Sequence, residues 1–88
     1  MSETEKTLTD VLSGVRDSNI RFRDLRSLLN ELGFECRIKG DHYIYYKTGI
    51  PEIINIQPAG SKAKPYQVHQ IRNIILRYHL GGELHAEI

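Results

Sequence analysis

The stretch F-E-C-R-I-K-G-D-H-Y-I-Y-Y-K, residues 34–47, contains two strand patterns separated by a glycine. Apolar and charged side chains alternate over residues 34–39, as a strand with one buried face requires. Gly40 and Asp41 are typical of a tight reversal, and the tyrosines and isoleucine over residues 42–47 favour a second strand. The stretch therefore predicts an antiparallel hairpin, around which the remaining elements are arranged.

The segments on either side of this hairpin predict one more strand and two amphipathic helices. Residues 22–32 repeat apolar side chains at helical spacing along one face. A third strand is predicted over residues 52–57, because Pro58 cannot continue its ladder. Residues 59–65 are predicted to form a loop, and residues 66–78 a closing helix with its apolar residues on one side.

The order of these elements predicts both the fold class and the division of the chain. Residues 1–19 are expected to form an acidic accessory helix and a linker, residues 20–80 the main domain, and residues 81–88 a flexible tail. In the main domain a three-stranded antiparallel sheet is expected to pack against two helices, in the order α-β-β-β-α, which is an α+β fold. Such a sheet leaves its second face or its rim free for a partner.

Length, composition and charge exclude several classes of protein. The 88 residues suffice for one domain, and Cys36 is the only cysteine, so an internal disulfide is impossible. A cytoplasmic protein without membrane contact is expected, because no apolar run approaches roughly 18 residues and the N-terminus does not resemble a signal peptide. Residues 20–80 hold ten Lys or Arg and five Asp or Glu, a balance of +5. This charge suits weak attraction to RNA, although a merely soluble surface would look similar.

The motifs of the commonest catalytic sites do not occur in the sequence. His69 and His79 are ten residues apart on one predicted helix, about 15 Å, so they cannot converge on one zinc ion. No phosphate-binding glycine motif or nucleophile elbow is present, and Cys36 lies in the middle of a strand. We therefore expect neither a metal site nor a cofactor. Of the types of catalysis considered, only acid–base catalysis by a side chain is left.

His42 is the histidine best placed for acid–base chemistry, since it follows a glycine turn at the first position of a strand. A histidine both accepts and gives a proton near neutral pH. RNA carries its own nucleophile, because a deprotonated ribose 2′-hydroxyl can attack the adjacent phosphodiester and leave a cyclic phosphate without a metal ion. The alternative is structural: strict alternation groups His42 with Ile44 and Tyr46, which could all face the core.

Six further residues are predicted to contact RNA, and three of them have a simpler alternative. Two basic residues lie on the first strand of the hairpin, and two lysines precede the last helix, whose free N–H groups attract anions. An aromatic residue on the second strand could stack on a base or pack against its neighbours. The predicted contacts are Arg37, Lys39, Tyr43, Lys62, Lys64 and Arg72, of which Lys62 and Lys64 could equally be solvated.

The run L-L-N-E-L-G-F-E-C-R-I-K-G-D-H-Y-I-Y, residues 28–45, resembles the HicA family of small bacterial mRNA interferase toxins. In that family an amphipathic helix, a G-F pair, a basic strand and a G-S-H motif follow one another. The resemblance covers residues 20–78. It implies a fold like that of double-stranded-RNA-binding domains, cleavage of mRNA through the motif histidine, here His42, and neutralisation by a HicB antitoxin bound in a hetero-oligomer.

The sequence departs from the HicA pattern in three places. Asp41 stands where the family usually has serine, which adds a negative charge beside His42. Residues 57–66, Q-P-A-G-S-K-A-K-P-Y, differ from the Gly-Thr sequence that many HicA-like chains have before the last helix. The acidic N-terminal helix is additional to the shortest members. Substrate contacts of the family therefore do not transfer to this loop.

Three functions are consistent with the sequence. The leading hypothesis is a HicA-like toxin, a metal-independent endoribonuclease that uses His42 as general acid–base. The alternatives are a non-catalytic RNA-binding module of the same fold and a protein-interaction domain whose sheet binds a partner. Cleavage of RNA and affinity for RNA discriminate among the three.

Overall fold

The computed structural model describes residues 2–82 and has the α+β class that the sequence predicts, with three helices and a three-stranded antiparallel sheet. Most of the predicted tail, residues 83–88, lies outside the described residues. In chain order the elements are α1 (Glu3–Ser13), α2 (Phe22–Glu31), β1 (Glu35–Lys39), β2 (His42–Lys47), β3 (Ile50–Ile56), β4 (Pro58–Ala59), β5 (Lys62–Ala63) and α3 (Pro65–Arg77).

The helices begin and end where local chemistry favours it. The Ser2 hydroxyl accepts a hydrogen bond from the backbone N–H of Glu5 at 3.1 Å and so caps α1. Gly14 ends the same helix in the left-handed conformation, with φ 75°. Pro65 opens α3, at a position where a helix needs no N–H donor. Within residues 2–82, no helix has the length and apolar character needed to cross a membrane.

The main sheet has the strand order β1-β2-β3 with antiparallel neighbours. Gly40, with φ 62°, allows the tight turn between β1 and β2. The two strands pair from Glu35 opposite Tyr46 to Lys39 opposite His42. This register determines which side chains share a face, because directly opposed residues in an antiparallel pair point to the same side.

The two faces of the sheet have different environments. Tyr45, Ile54 and Ile56 are fully buried on the face that packs against the helices. Because side chains alternate along a strand, His42 and its second neighbours along β2 point to the opposite side. We call this side, away from the helices, the open face. The structural alternative, in which His42 shares a core face with Ile44, is therefore wrong.

The core is a single cluster that includes α1. Leu8 and Val11 of α1 are fully buried together with residues of α2, α3 and the sheet. Burial of one such side chain contributes about 1.5–3 kcal/mol to folding. The helix predicted as an accessory therefore packs into the same core as the main domain. The other buried apolar residues are Ile20, Phe22, Leu25, Leu28, Leu29, Leu32, Phe34, Tyr45, Ile50, Ile54, Ile56, Ala63, Val68, Ile71, Ile74 and Ile75.

The prediction of a loop over residues 59–65 is wrong in one respect, since β4 and β5 form a short hairpin there. Two backbone hydrogen bonds join this hairpin to residues at the start of α2 and just before it. The N–H of Phe22 donates to the Ser61 carbonyl at 2.9 Å, and the N–H of Ala63 donates to the Ile20 carbonyl at 2.9 Å. Because its partners are about forty residues away in sequence, no local pattern could indicate it.

Candidate functional site

His42 is the first residue of β2 and lies on the open face, directly after the turn at Gly40 and Asp41. Its side chain is 46% exposed, so a ligand can reach the imidazole. The residue is positioned by the antiparallel pairing of β2 with β1, in which Lys39 is its partner, and the next residue, Tyr43, also pairs with Ile56 of β3. The site therefore combines a paired strand end with an accessible ring.

Three polar side chains surround the His42 ring. Nδ1 lies 3.1 Å from Oδ1 of Asn55, and Nε2 lies 3.4 Å from Nε2 of Gln57. The carboxylate of Asp41 is close to the same nitrogen, with Oδ1 at 3.8 Å from Nε2. The Gln57 amide also donates to Asp41 Oδ2 at 3.2 Å. The four side chains thus form one hydrogen-bonded network at the exposed end of the sheet.

The basic residues of β1 lie beside His42 on the open face. Lys39 is the direct cross-strand partner of His42, and Arg37 is the partner of Ile44 in the next row of the sheet. Both basic side chains are exposed. Directly opposed residues have their Cβ atoms about 4.5–5.5 Å apart, so Lys39 is within reach of an anion bound at the His42 ring. The structure therefore brings together three of the predicted site residues.

Tyr43 does not share this face, because it points toward the helices. Its ring packs edge-on against Phe22 with 5.1 Å between centroids, and the Arg26 guanidinium lies over it at 4.4 Å. The same guanidinium donates through Nε to the hydroxyl of Tyr45 at 2.9 Å, and burial raises the pKa of that hydroxyl. Tyr43 is thus a packing residue. Strand alternation instead places Tyr46, which is half-buried, on the open face.

Lys62 and Lys64 lie outside the network of His42. Lys62 lines a cleft between α1 and the start of α2, together with the acidic side chains of Asp10 and Asp24. Lys64 is half-buried and precedes α3, where its backbone N–H donates to Oε1 of Gln67 at 3.3 Å. Neither lysine forms a hydrogen bond with the side chains around the imidazole.

Arg72 is bound within the molecule. Its guanidinium donates to both carboxylate oxygens of Asp17, at 2.8 and 3.1 Å, and to the Val11 carbonyl at 3.2 Å. Only 14% of its side chain is exposed. The hydrogen bonds from Arg72 lower the pKa of Asp17. Because its guanidinium is bound to Asp17 and Val11, Arg72 holds α3 to α1 and to the segment after α1, and it is not available to bind a phosphate.

Sequence reasoning missed Asn55 and Gln57, the two amides that contact the imidazole. The signal that could have found them is the alternation of β3, which sets these residues on the side opposite the buried Ile54 and Ile56. Their proximity to His42 still required the register between β2 and β3. Within residues 2–82, no three His, Cys, Asp or Glu side chains lie close enough together to hold a metal ion.

Comparison of the chain with protein-family models, with curated proteins and with solved structures gives no significant match. A functional interpretation therefore depends on the geometry around His42 and on the resemblance carried by residues 28–45.

Proposed function

We propose that the chain is a HicA-like toxin, a metal-independent endoribonuclease that cleaves mRNA with His42 as general acid–base. The single observation that carries this proposal is the position of the imidazole, exposed on the open face and directly opposite Lys39. A histidine that served packing alone would be expected beneath the helices. The proposal includes the finer fold type, that of a double-stranded-RNA-binding domain.

The proposed reaction needs no component beyond the RNA, the protein and water. Nε2 of His42 accepts the proton of a ribose 2′-hydroxyl, and the resulting oxygen attacks the adjacent phosphorus. The bond from phosphorus to the 5′-oxygen breaks, and this oxygen takes up the proton that His42 now carries, relayed through a water molecule. The products are a 2′,3′-cyclic phosphate and a 5′-hydroxyl, and His42 is neutral again.

The basic residues of the proposed site are assigned to different phosphates of the RNA. Lys39 is assigned to the scissile phosphate, because a cation beside it stabilises the negative charge that develops in the transition state. Arg37, one row further along the sheet, is assigned to the neighbouring phosphate. Lys62 and Lys64 lie away from the His42 network, so we assign them only to flanking phosphates.

The partner implied by the proposal is a HicB-like antitoxin that forms a hetero-oligomer with the chain in the cytoplasm. An exposed catalytic face needs an inhibitor that covers it. The partner is proposed from the resemblance to HicA, and Ile53, 55% exposed on the open face of β3, is one apolar side chain that such a partner would cover. Co-expression with the product of the neighbouring reading frame, followed by purification of the tagged chain, tests for a stable complex.

The test of the nuclease proposal is cleavage of single-stranded RNA in EDTA by the wild type and by His42→Ala. We expect the variant to lose about 10²-fold or more in rate, the contribution typical of a general base. His79→Asn is the matched control, because His79 is also exposed but has no contact with the network, and asparagine tolerates its φ of 54°.

The outcomes separate the three functions. Equal rates for the wild type and His42→Ala would show that the cleavage does not come from this site. Intact RNA with salt-dependent binding would indicate the RNA-binding module, because phosphate contacts weaken as salt is added. Absence of both cleavage and binding would indicate a protein-interaction domain.

A further inference from the structure

The hydrogen bonds around His42 determine which ring nitrogen carries the proton. A neutral imidazole has one N–H donor and one acceptor nitrogen. The amide nitrogen of Gln57, Nε2, lies 3.2 Å from Oδ2 of Asp41. Since an ionised carboxylate only accepts hydrogen bonds, the NH₂ group of Gln57 must be the part that points toward Asp41. Asp41 therefore sets the orientation of the Gln57 amide.

The orientation of Gln57 sets the tautomer of His42. The same amide nitrogen is 3.4 Å from His42 Nε2, so a donor faces this ring nitrogen, which must present its lone pair. The proton is then on Nδ1, where Asn55 Oδ1 accepts it at 3.1 Å. Both contacts therefore indicate the Nδ1–H tautomer. With this assignment, neither ring nitrogen has an N–H group pointing at the N–H of a neighbouring amide.

We propose that Asn55 and Gln57 are positioning residues that hold His42 as the Nδ1–H tautomer, with Nε2 as the basic nitrogen. The catalytic consequence rests on the proposed function, whereas the tautomer itself does not. The Nδ1–H bond to Asn55 leaves the free lone pair on Nε2, the nitrogen beside Gln57. The contact from Gln57 to Nε2 is long, so an incoming 2′-hydroxyl can replace it at little cost.

This arrangement gives Asp41 a specific role. Asp41 differs from the serine of the HicA pattern, and its carboxylate is too far from Nε2, at 3.8 Å, for a hydrogen bond. Its direct hydrogen bond is to Gln57. Asp41 therefore acts on His42 through the orientation of an amide rather than as a second proton donor.

The tautomer is measured directly by long-range ¹H–¹⁵N NMR of the imidazole nitrogens in the free protein at a pH where His42 is neutral. We expect the wild type to show the Nδ1–H form. Asn55→Ala removes the acceptor and shifts the population toward Nε2–H. Ile53→Ala is the matched control, because Ile53 lies on the same strand and face as Asn55 but has no side-chain group that could accept a hydrogen bond from the ring. An Nε2–H form in the wild type, or an unchanged tautomer in Asn55→Ala, overturns the inference.

Cleavage assays test the catalytic consequence separately. Asn55→Ala should lower kcat about tenfold or more, with KM for RNA nearly unchanged, because a productive tautomer is part of the general-base contribution. Asn55→Asp retains an acceptor for Nδ1–H and should restore most of the activity. A shifted tautomer with full activity in Asn55→Ala would overturn the positioning role. If the wild type does not cleave RNA, the proposed function fails, while the NMR result still decides the tautomer.

Discussion

His42 and Arg72 show how the neighbours of one side chain determine its use. Both are polar residues on regular elements, and both were candidates for contact with RNA. The imidazole of His42 is exposed and, within residues 2–82, contacts only the amides of Asn55 and Gln57 at hydrogen-bond distance, so a ligand can still reach the ring. The guanidinium of Arg72 is largely buried and binds both oxygens of Asp17, so its positive charge is already paired with a carboxylate of the same protein. The availability of these two side chains to a ligand therefore depends on their exposure and on their partners rather than on residue type.

The pairing of Asp17 with Arg72 predicts a pH-dependent stability. The pKa of Asp17 is lowered below its ordinary value of 3.8, chiefly by hydrogen bonds from Arg72. A lowered pKa in the folded state means that ionised Asp17 stabilises the fold above about pH 4, and that this contribution is lost as the pH falls through the lowered value. Asp17→Asn should therefore reduce the free energy of unfolding at pH 7 by about 1–3 kcal/mol.

Urea unfolding at pH 7 and at pH 3 measures this effect. The difference between the wild type and Asp17→Asn should shrink at the lower pH. Asp10→Asn is the control, because Asp10 forms a longer ion pair of 3.8 Å with an exposed Arg16, for which a loss of at most about 1 kcal/mol is expected. Equal stability of Asp17→Asn and the wild type at pH 7 would contradict the structural role of Arg72.

At the scale of the elements, the end of α3 is held to two different parts of the molecule. The Tyr78 hydroxyl donates to Glu52 Oε1 at 2.6 Å, and Arg77 donates to the other oxygen at 3.0 Å. The first of these bonds lowers the pKa of Glu52 and raises that of Tyr78. Beyond the helix, Gly81 is buried against side chains of Leu8 and Leu32. The chain thus remains packed after the helix has ended.

Substitution of Gly81 tests this packing. Gly81 has φ 87°, and a Cβ atom there would lie 3.0 Å from Cδ2 of Leu8. Gly81→Ala should lower the free energy of unfolding by about 1–2 kcal/mol, the cost of a left-handed conformation for a residue with a side chain. Gly82→Ala is the control, because a Cβ there meets no atom within 4 Å. Thermal denaturation of both variants gives the comparison, and an equal Tm would contradict it.

At the scale of the whole molecule, α1 is part of the structure that supports the open face. Its residues Leu8 and Val11 are fully buried in the common core, and Arg72 ties α3 to it. The sheet needs apolar cover on one side only, and the helices supply that cover. The site therefore depends on contacts made on the far side of the sheet.

Truncation of one α1 side chain tests this dependence. Leu8→Ala should reduce the free energy of unfolding by about 2–5 kcal/mol, since it leaves a cavity in a fully packed region. Val15→Ala is the control, because Val15 lies just beyond α1, is 83% exposed, and should change stability by less than about 0.5 kcal/mol. Chemical denaturation measures both. A small effect of Leu8→Ala would show that α1 is indeed accessory.

Much of the fold could be predicted from the sequence because its signals are local. Alternation over residues 34–47 indicated the hairpin, and the predicted and observed range of β2 agree at residues 42–47. Helical periodicity indicated α2 and α3, with bounds within one residue of those observed for α3. The α+β class followed from the order of these elements, and the glycine turn indicated that the histidine after it, His42, lies at the start of a strand.

The sequence by itself determined the three helices, the three strands of the main sheet and their order, because each depends on neighbours a few residues apart. The tertiary structure decided the rest. It alone placed His42 on the open face and Tyr43 under the helices, since alternation defines two faces without saying which one the helices cover. It also brought Asn55 to His42 and Asp17 to Arg72, because pairing across the fold depends on where distant segments meet.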